Sequence, residues 1–176
     1  VHGSTLGIVG FGRIGKQVAR RAKAFDMRVL YHNRRRDPIA EAEFSAEYRS
    51  LNDLLAECDF VALNCPLTAE TTNLISTAQF ALKRTSAILI NMSRGAVVDT
   101  DALYAALRTD RIAGAGIDVT QPEPLPRDHP LLAMQNLVLT PHLGSASDRT
   151  RRRMIEMSIE NLRAGLAGRP LPYRVG

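Results

Sequence analysis

Three ionisable residues stand where successive apolar runs end. Arg94 follows Ala87-Ile88-Leu89-Ile90-Asn91, Glu123 lies in the proline-rich stretch Gln121 to Pro126 after Ile112 to Val119, and His142 follows Leu137-Val138-Leu139-Thr140. If those runs are parallel strands of one sheet, all three residues come to its carboxyl edge, where such sheets bind ligands. A guanidinium there can hold a carboxylate in a fixed orientation through paired, charge-assisted hydrogen bonds. Pro122, Pro124 and Pro126 predict an extended, stiff loop that presents one carboxylate rigidly. A lone arginine or histidine is ordinarily a surface or structural residue; three ionisable side chains at neighbouring strand ends point to a site.

The positioning framework begins at Leu6-Gly7-Ile8-Val9-Gly10-Phe11-Gly12-Arg13-Ile14-Gly15. It reads as strand, tight turn and helix. Gly10 allows the turn, Gly12 lets backbone N–H groups approach a pyrophosphate, and Gly15 lets the helix pack closely on the strand. Ile14, Val18, Ala19, Ala22 and Phe25 recur at helical spacing beyond it. Glycines also mark ordinary loops, but this strand and helix around them predict a dinucleotide site.

The second strand is expected over Met27 to Tyr31, ending in His32-Asn33-Arg34-Arg35-Arg36-Asp37-Pro38. In NAD-binding units an Asp or Glu about 20 residues past the glycines accepts the ribose hydroxyls. Asn33 stands about there instead, followed by Arg34 and Arg35, which can pair with a 2′-phosphate. NADP is therefore favoured over NAD, against the alternative of a solvated turn. Further strands are expected at Phe44 to Tyr48, Phe60 to Leu63, Ala87 to Asn91, Ile112 to Val119 and Leu137 to Thr140, with helices at Leu51 to Glu57, Thr77 to Leu82, from Asp99 or Thr100, and Ser147 to Leu166. Pro66 stops its strand at the crevice edge. Thr71 can touch phosphate or cap a helix. Asp118 interrupts an apolar strand and needs partners, from backbone or from a ligand donor. Together these elements predict an α/β domain, a doubly wound parallel sheet of the Rossmann type with about seven strands and helices on both faces.

The 176 residues, 45% hydrophobic, suffice for one domain with a sizeable core. The net charge of +5 is spread among acidic neighbours, which fits anionic small molecules; nucleic-acid binding through Arg34 to Arg36 or Arg151 to Arg153 lacks aromatic interleaving. Cys58 and Cys65 have no metal-ligand spacing and read as buried thiols. No run approaches the roughly 20 apolar residues of a membrane span, and a cytoplasmic protein is expected. Val1 to Ser4 reads as the tail of a connection, so residues 1–176 are expected to be a coenzyme domain excised from a longer enzyme.

With Gly10 to Gly15, Asn91-Met92-Ser93-Arg94-Gly95, Gly116-Ile117-Asp118-Val119, Pro122-Glu123-Pro124 and Pro141-His142-Leu143-Gly144-Ser145 in order, the chain resembles the D-isomer-specific 2-hydroxyacid dehydrogenases. Within them it is most similar to the glyoxylate/hydroxypyruvate reductase branch, through Asp118 to Pro126 and His129-Pro130-Leu131-Leu132, with 2-ketogluconate reductases as neighbours. The resemblance implies that NADPH delivers hydride to a small 2-keto acid, that His142 gives the proton, that Glu123 favours its imidazolium, and that Arg94 grips the substrate carboxylate. It implies cofactor contacts from Gly12, Arg13, Ile14, Pro66, Met92, Asp118 and Ser145, and a homodimer. It also implies a substrate domain preceding this one, without which turnover is expected to be impaired or lost. Corepressors of the same fold offer the alternative of a cofactor-sensing module.

Overall fold

Alternation along the apolar runs decides which face of the sheet each helix covers. In the first strand, β1 (Thr5–Val9), Ile8 and Val9 point to opposite faces and are both buried. Each belongs to a different core. Ile8 joins Phe11, Ala19, Ala22, Val29, Tyr31, Ala40 and Phe44, the cluster under α1 (Arg13–Ala22) and α2 (Pro38–Phe44). Val9 joins Leu54, Leu55, Val61, Leu89, Leu103 and Leu107, the cluster under α3 (Leu51–Glu57), α4 (Thr77–Leu82) and α5 (Thr100–Arg108). Buried on both sides, the strands need near-continuous apolar sequence.

The computed structural model describes residues 1–174. They fall into two compact units, one of residues Val1–Pro141 and one that begins at His142. The first holds β1, β2 (Arg28–His32), β3 (Ala46–Tyr48), β4 (Phe60–Leu63), β5 (Ile88–Asn91), β6 (Gly114–Ile117) and β7 (Leu137–Leu139) in one parallel sheet of order β3-β2-β1-β4-β5-β6-β7. The strand order reverses between β1 and β4, which puts the ligand crevice at their carboxyl ends. The doubly wound seven-stranded sheet agrees with the sequence reading.

Helix starts follow the capping residues. Ser50 caps α3, accepting the Asp53 N–H at 3.2 Å, and Asp99 caps α5, accepting the Ala102 N–H at 3.0 Å. The second unit is built on α6 (Asp148–Leu166), capped by Ser147. Asn161 clasps Tyr173 through two backbone bonds, which turns the tail back along the helix. Met154, Ile155, Ile159, Leu162 and Leu166 are exposed.

Four expectations are corrected. Residues 38–44 form α2, where the sequence suggested no helix and began the third strand at Phe44; Asp37 caps this helix, Pro38 opens it, and left-handed Ser45 ends it. Ile14 and Phe25 do not belong to the buried stripe of α1, being 67% and 50% exposed. The sixth strand is shorter than Ile112 to Val119, so Asp118 lies just past its end. The Glu123 loop is bent at Gln121 to Pro124 rather than extended. The reason is a turn closed by the Thr120 hydroxyl, which donates to the Pro122 carbonyl at 2.8 Å.

Candidate functional site

At the carboxyl ends of β1 and β4 the glycine turn meets the Asn64-Cys65 backbone. Gly10 has φ +94°, and a Cβ there would stand 2.4 Å from the Cys65 nitrogen. A Cβ on Gly15 would stand 2.4 Å from the Gly10 carbonyl oxygen, so no side chain fits where α1 crosses the strand. The space beside Gly12 is open. α1 therefore begins at an open glycine, with no side-chain cap and no acidic residue in its first turn. Its first N–H groups and dipole are set for an anion.

A cleft of about 420 Å³ opens beside this turn, lined by Ile14, Asn64, Cys65, Pro66, Leu67, Met92, Ser93 and Arg94. Its position explains the exposed Ile14, which faces the cleft instead of the core. Asn64 was not distinguished in the sequence from any other strand-ending polar residue. Its Nδ2 is buried and has no partner among the described residues, a donor of the kind a bound ligand satisfies. Thr71 does the capping job: its hydroxyl donates to the Pro66 carbonyl at 2.7 Å and accepts the Thr68 N–H at 2.7 Å.

Asn33 holds the glycine turn itself. Its Oδ1 accepts the Phe11 N–H at 2.7 Å. Beyond it, the local carboxylates are already matched with cations. Lys16 Nζ lies 2.8 Å from Asp37, whose carboxyl it lowers, and Arg36 pairs with Glu41 through two bonds of 2.9 and 2.7 Å. Arg36, with the Tyr31 hydroxyl, holds the Glu41 carboxyl down at about 2. Arg34 and Arg35 are exposed and form no salt bridge within 4 Å among the described residues, although the Arg34 charge helps lower the Glu70 carboxyl.

Arg94 follows β5 in a tight turn. Its Nη1 donates to the Ser93 carbonyl at 2.7 Å, and the residue, exposed, lines the cleft. Asp118 is buried, with its N–H on the Asn91 carbonyl at 3.0 Å and the Thr140 hydroxyl donating to its carboxylate. Glu123 Oε2 accepts the Thr120 N–H at 3.4 Å. Arg94, Asp118 and Glu123 thus belong to the first unit, on the loops after β5 and β6. His142 opens the second unit with φ +56°, left-handed for a side chain with no freedom of glycine, and Ser145 follows it there.

Similarity to known proteins extends over the whole of this framework. Residues 1–144 match the family described as D-isomer specific 2-hydroxyacid dehydrogenase, NAD binding domain. The glyoxylate reductase of Korarchaeum cryptofilum is 54% identical over 175 residues, which cover 99% of this chain and 53% of that protein. The glyoxylate reductase/hydroxypyruvate reductase of Homo sapiens is 49% identical over 170 residues, 96% of this chain and 52% of that protein. The solved TT0316 protein from Thermus thermophilus superposes with a TM-score of 0.92 at 51% identity, over 99% of this chain and 54% of that one. This chain spans about half the length of the curated relatives it matches. From glycine turn to family model, it belongs to the D-isomer specific 2-hydroxyacid dehydrogenases, as their NAD-binding domain.

Proposed function

We propose that this chain is the coenzyme half of an NADPH-dependent reductase of small 2-keto acids, glyoxylate and hydroxypyruvate first, with a substrate-binding half preceding it in a working homodimer. The observation that carries the reading is the shared cleft onto which both the start of α1 and Arg94 open. The reductase names of the two relatives support the substrate class.

The residues fit a nicotinamide dinucleotide: an uncapped helix start, an open Gly12 and the buried donor of Asn64 offer what its phosphates and ribose require. When bound, the reduced nicotinamide supplies the hydride. Arg94 binds the substrate carboxylate through its remaining guanidinium N–H groups and orients the keto carbon. His142 gives a proton to the carbonyl oxygen, and takes one in the reverse direction; Glu123 favours the protonated imidazole. NADPH is preferred because Asn33 brings no charge, Asp37 and Glu41 are matched by Lys16 and Arg36, and Arg34 and Arg35 remain for a 2′-phosphate.

Initial rates of the full-length reductase with glyoxylate, hydroxypyruvate and 2-ketogluconate, each with NADPH and NADH, test this. Turnover of the first two with NADPH preferred is expected. Tight cofactor binding with no turnover of any 2-keto acid would overturn the reading in favour of a sensor.

A further inference from the structure

The loops that carry Arg94 and Glu123 are held by one continuous set of buried and part-buried contacts, extended by one exposed bond from Thr100, and none of them involves the Arg94 guanidinium. Asn91, 1% exposed, closes the first loop with its amide. Its Nδ2 donates to the Arg94 carbonyl at 3.0 Å, while its Oδ1 accepts both the Ser93 N–H and the Ser93 hydroxyl at 3.0 Å. Three bonds from one buried side chain fix the path from β5 to Arg94.

The next residue meets the second loop. At Gly95 a Cβ would lie 1.9 Å from the Thr120 carbonyl oxygen and 2.7 Å from the Gln121 nitrogen, so the two backbones are packed face to face. Thr120 is itself buried, and it holds the loop at two points, with its hydroxyl donating to the Pro122 carbonyl and its N–H to Glu123 Oε2. The Thr100 hydroxyl, in the first turn of α5, donates to the Gln121 carbonyl at 2.9 Å. The Asn91 carbonyl accepts the Asp118 N–H, which closes the circuit at the strand ends.

We propose that Asn91 and Thr120 are positioning residues that lock the Arg94 turn and the Glu123 loop into one rigid unit, so that the carboxylate-binding group and the acid–base partner keep a fixed spacing. This rests on the reductase reading for its kinetic consequence, and on the contacts alone for its mechanical one. A close-packed joint transmits displacement, because neither backbone can move without overlapping the other. A misplacement of about 1 Å costs on the order of a hundredfold in rate.

The test uses Thr120→Val, which keeps the shape and removes the hydroxyl, Thr120→Ser, which restores it, and Asn91→Asp, which keeps the acceptor and removes the donor. In the full-length reductase, Thr120→Val is expected to lower kcat about tenfold or more, to displace the pH profile of kcat/KM, and to leave NADPH affinity within about twofold. Thr120→Ser is expected to recover most of the loss. Asn91→Asp is expected to raise KM for the keto acid more than it lowers kcat. Hydrogen exchange on the same proteins reads the joint without turnover: Thr120→Val should speed exchange of the Val97 and Val98 amides, which donate to the Arg94 and Gly95 carbonyls, and Asn91→Asp that of the Thr120 amide, which donates to Glu123. Faster exchange only at the substituted loop, or no recovery in Thr120→Ser, overturns the proposal. Coupled exchange in a protein that reduces no 2-keto acid would sustain the joint and sink the reductase reading.

Discussion

The Asn33 carboxamide oxygen accepts the Phe11 N–H at 2.7 Å and thereby ties the end of β2 to the turn between Gly10 and Gly12. One residue thus shapes the glycine turn and, on the NADPH reading proposed above, keeps negative charge away from the adenosine end. Aspartate would preserve the first and reverse the second, since either carboxylate oxygen can take the Phe11 bond. Asn33→Asp should therefore retain the fold and NADH binding while losing NADPH affinity about tenfold or more. Nicotinamide fluorescence titrations at fixed ionic strength read this; an unchanged NADPH to NADH ratio would remove Asn33 from the selectivity account.

The three consecutive arginines are not equivalent. All three are exposed, but Arg36 is engaged with Glu41 through two hydrogen bonds, whereas Arg34 and Arg35 form no salt bridge among the described residues. Arg34→Ala and Arg35→Ala should each weaken NADPH binding about threefold to tenfold at low salt, less at high salt, and leave NADH alone. Arg36→Ala should do little to either cofactor. Equal loss from all three would mean a diffuse field and not a phosphate site.

The sequence made the sheet legible because its strands are buried on both faces and end abruptly. Phe60 to Leu63 is apolar throughout and stops before Asn64-Cys65-Pro66, and the observed β4 has those bounds. α2 was hidden because it offers only Ala40 and Phe44 to the core, while Ile39, just before Ala40, is 82% exposed. Two anchors do not make a period. Ile14 misled for the opposite reason: it is apolar and in register, but it faces the cleft. Asn91 and Asn64 were silent in another way, and Asn33 was read only for the charge it lacks. Asparagine ends strands and turns everywhere, and only coordinates distinguish one that clamps a loop, one with a buried unsatisfied donor and one that caps a glycine turn.

The Arg94 side chain makes one hydrogen bond among the described residues, to the carbonyl of its neighbour. Its removal should therefore cost little stability, within about 0.5 kcal/mol, and much function. Arg94→Lys keeps the charge and loses the paired geometry, so kcat/KM for the keto acid is expected to fall on the order of a hundredfold, with cofactor affinity unchanged. Steady-state kinetics beside a cofactor titration separate the two. A parallel loss of cofactor binding would place Arg94 on the dinucleotide instead.

Lys83 is 2% exposed, and its Nζ has no hydrogen-bond partner among the described residues. Burial pushes its ammonium down to about 8, and burial pushes the nearby Cys58 thiol up to about 12. The two act on stability with opposite signs. Between pH 8 and 10.5 the unfolded chain keeps the lysine proton that the folded chain releases, so stability rises, by about 3 kcal/mol over the whole window. Above pH 9 the unfolded chain loses the thiol proton that the folded chain keeps, and stability falls. Urea unfolding should thus show a rise from pH 8 to 9, then a plateau and a decline. Lys83→Met fills the same space without the charge; it should be more stable than the parent at pH 7 by about 1–3 kcal/mol and should lack the rise. A less stable Lys83→Met at pH 7 would mean that the ammonium has a partner in solution and that its burial is not a cost.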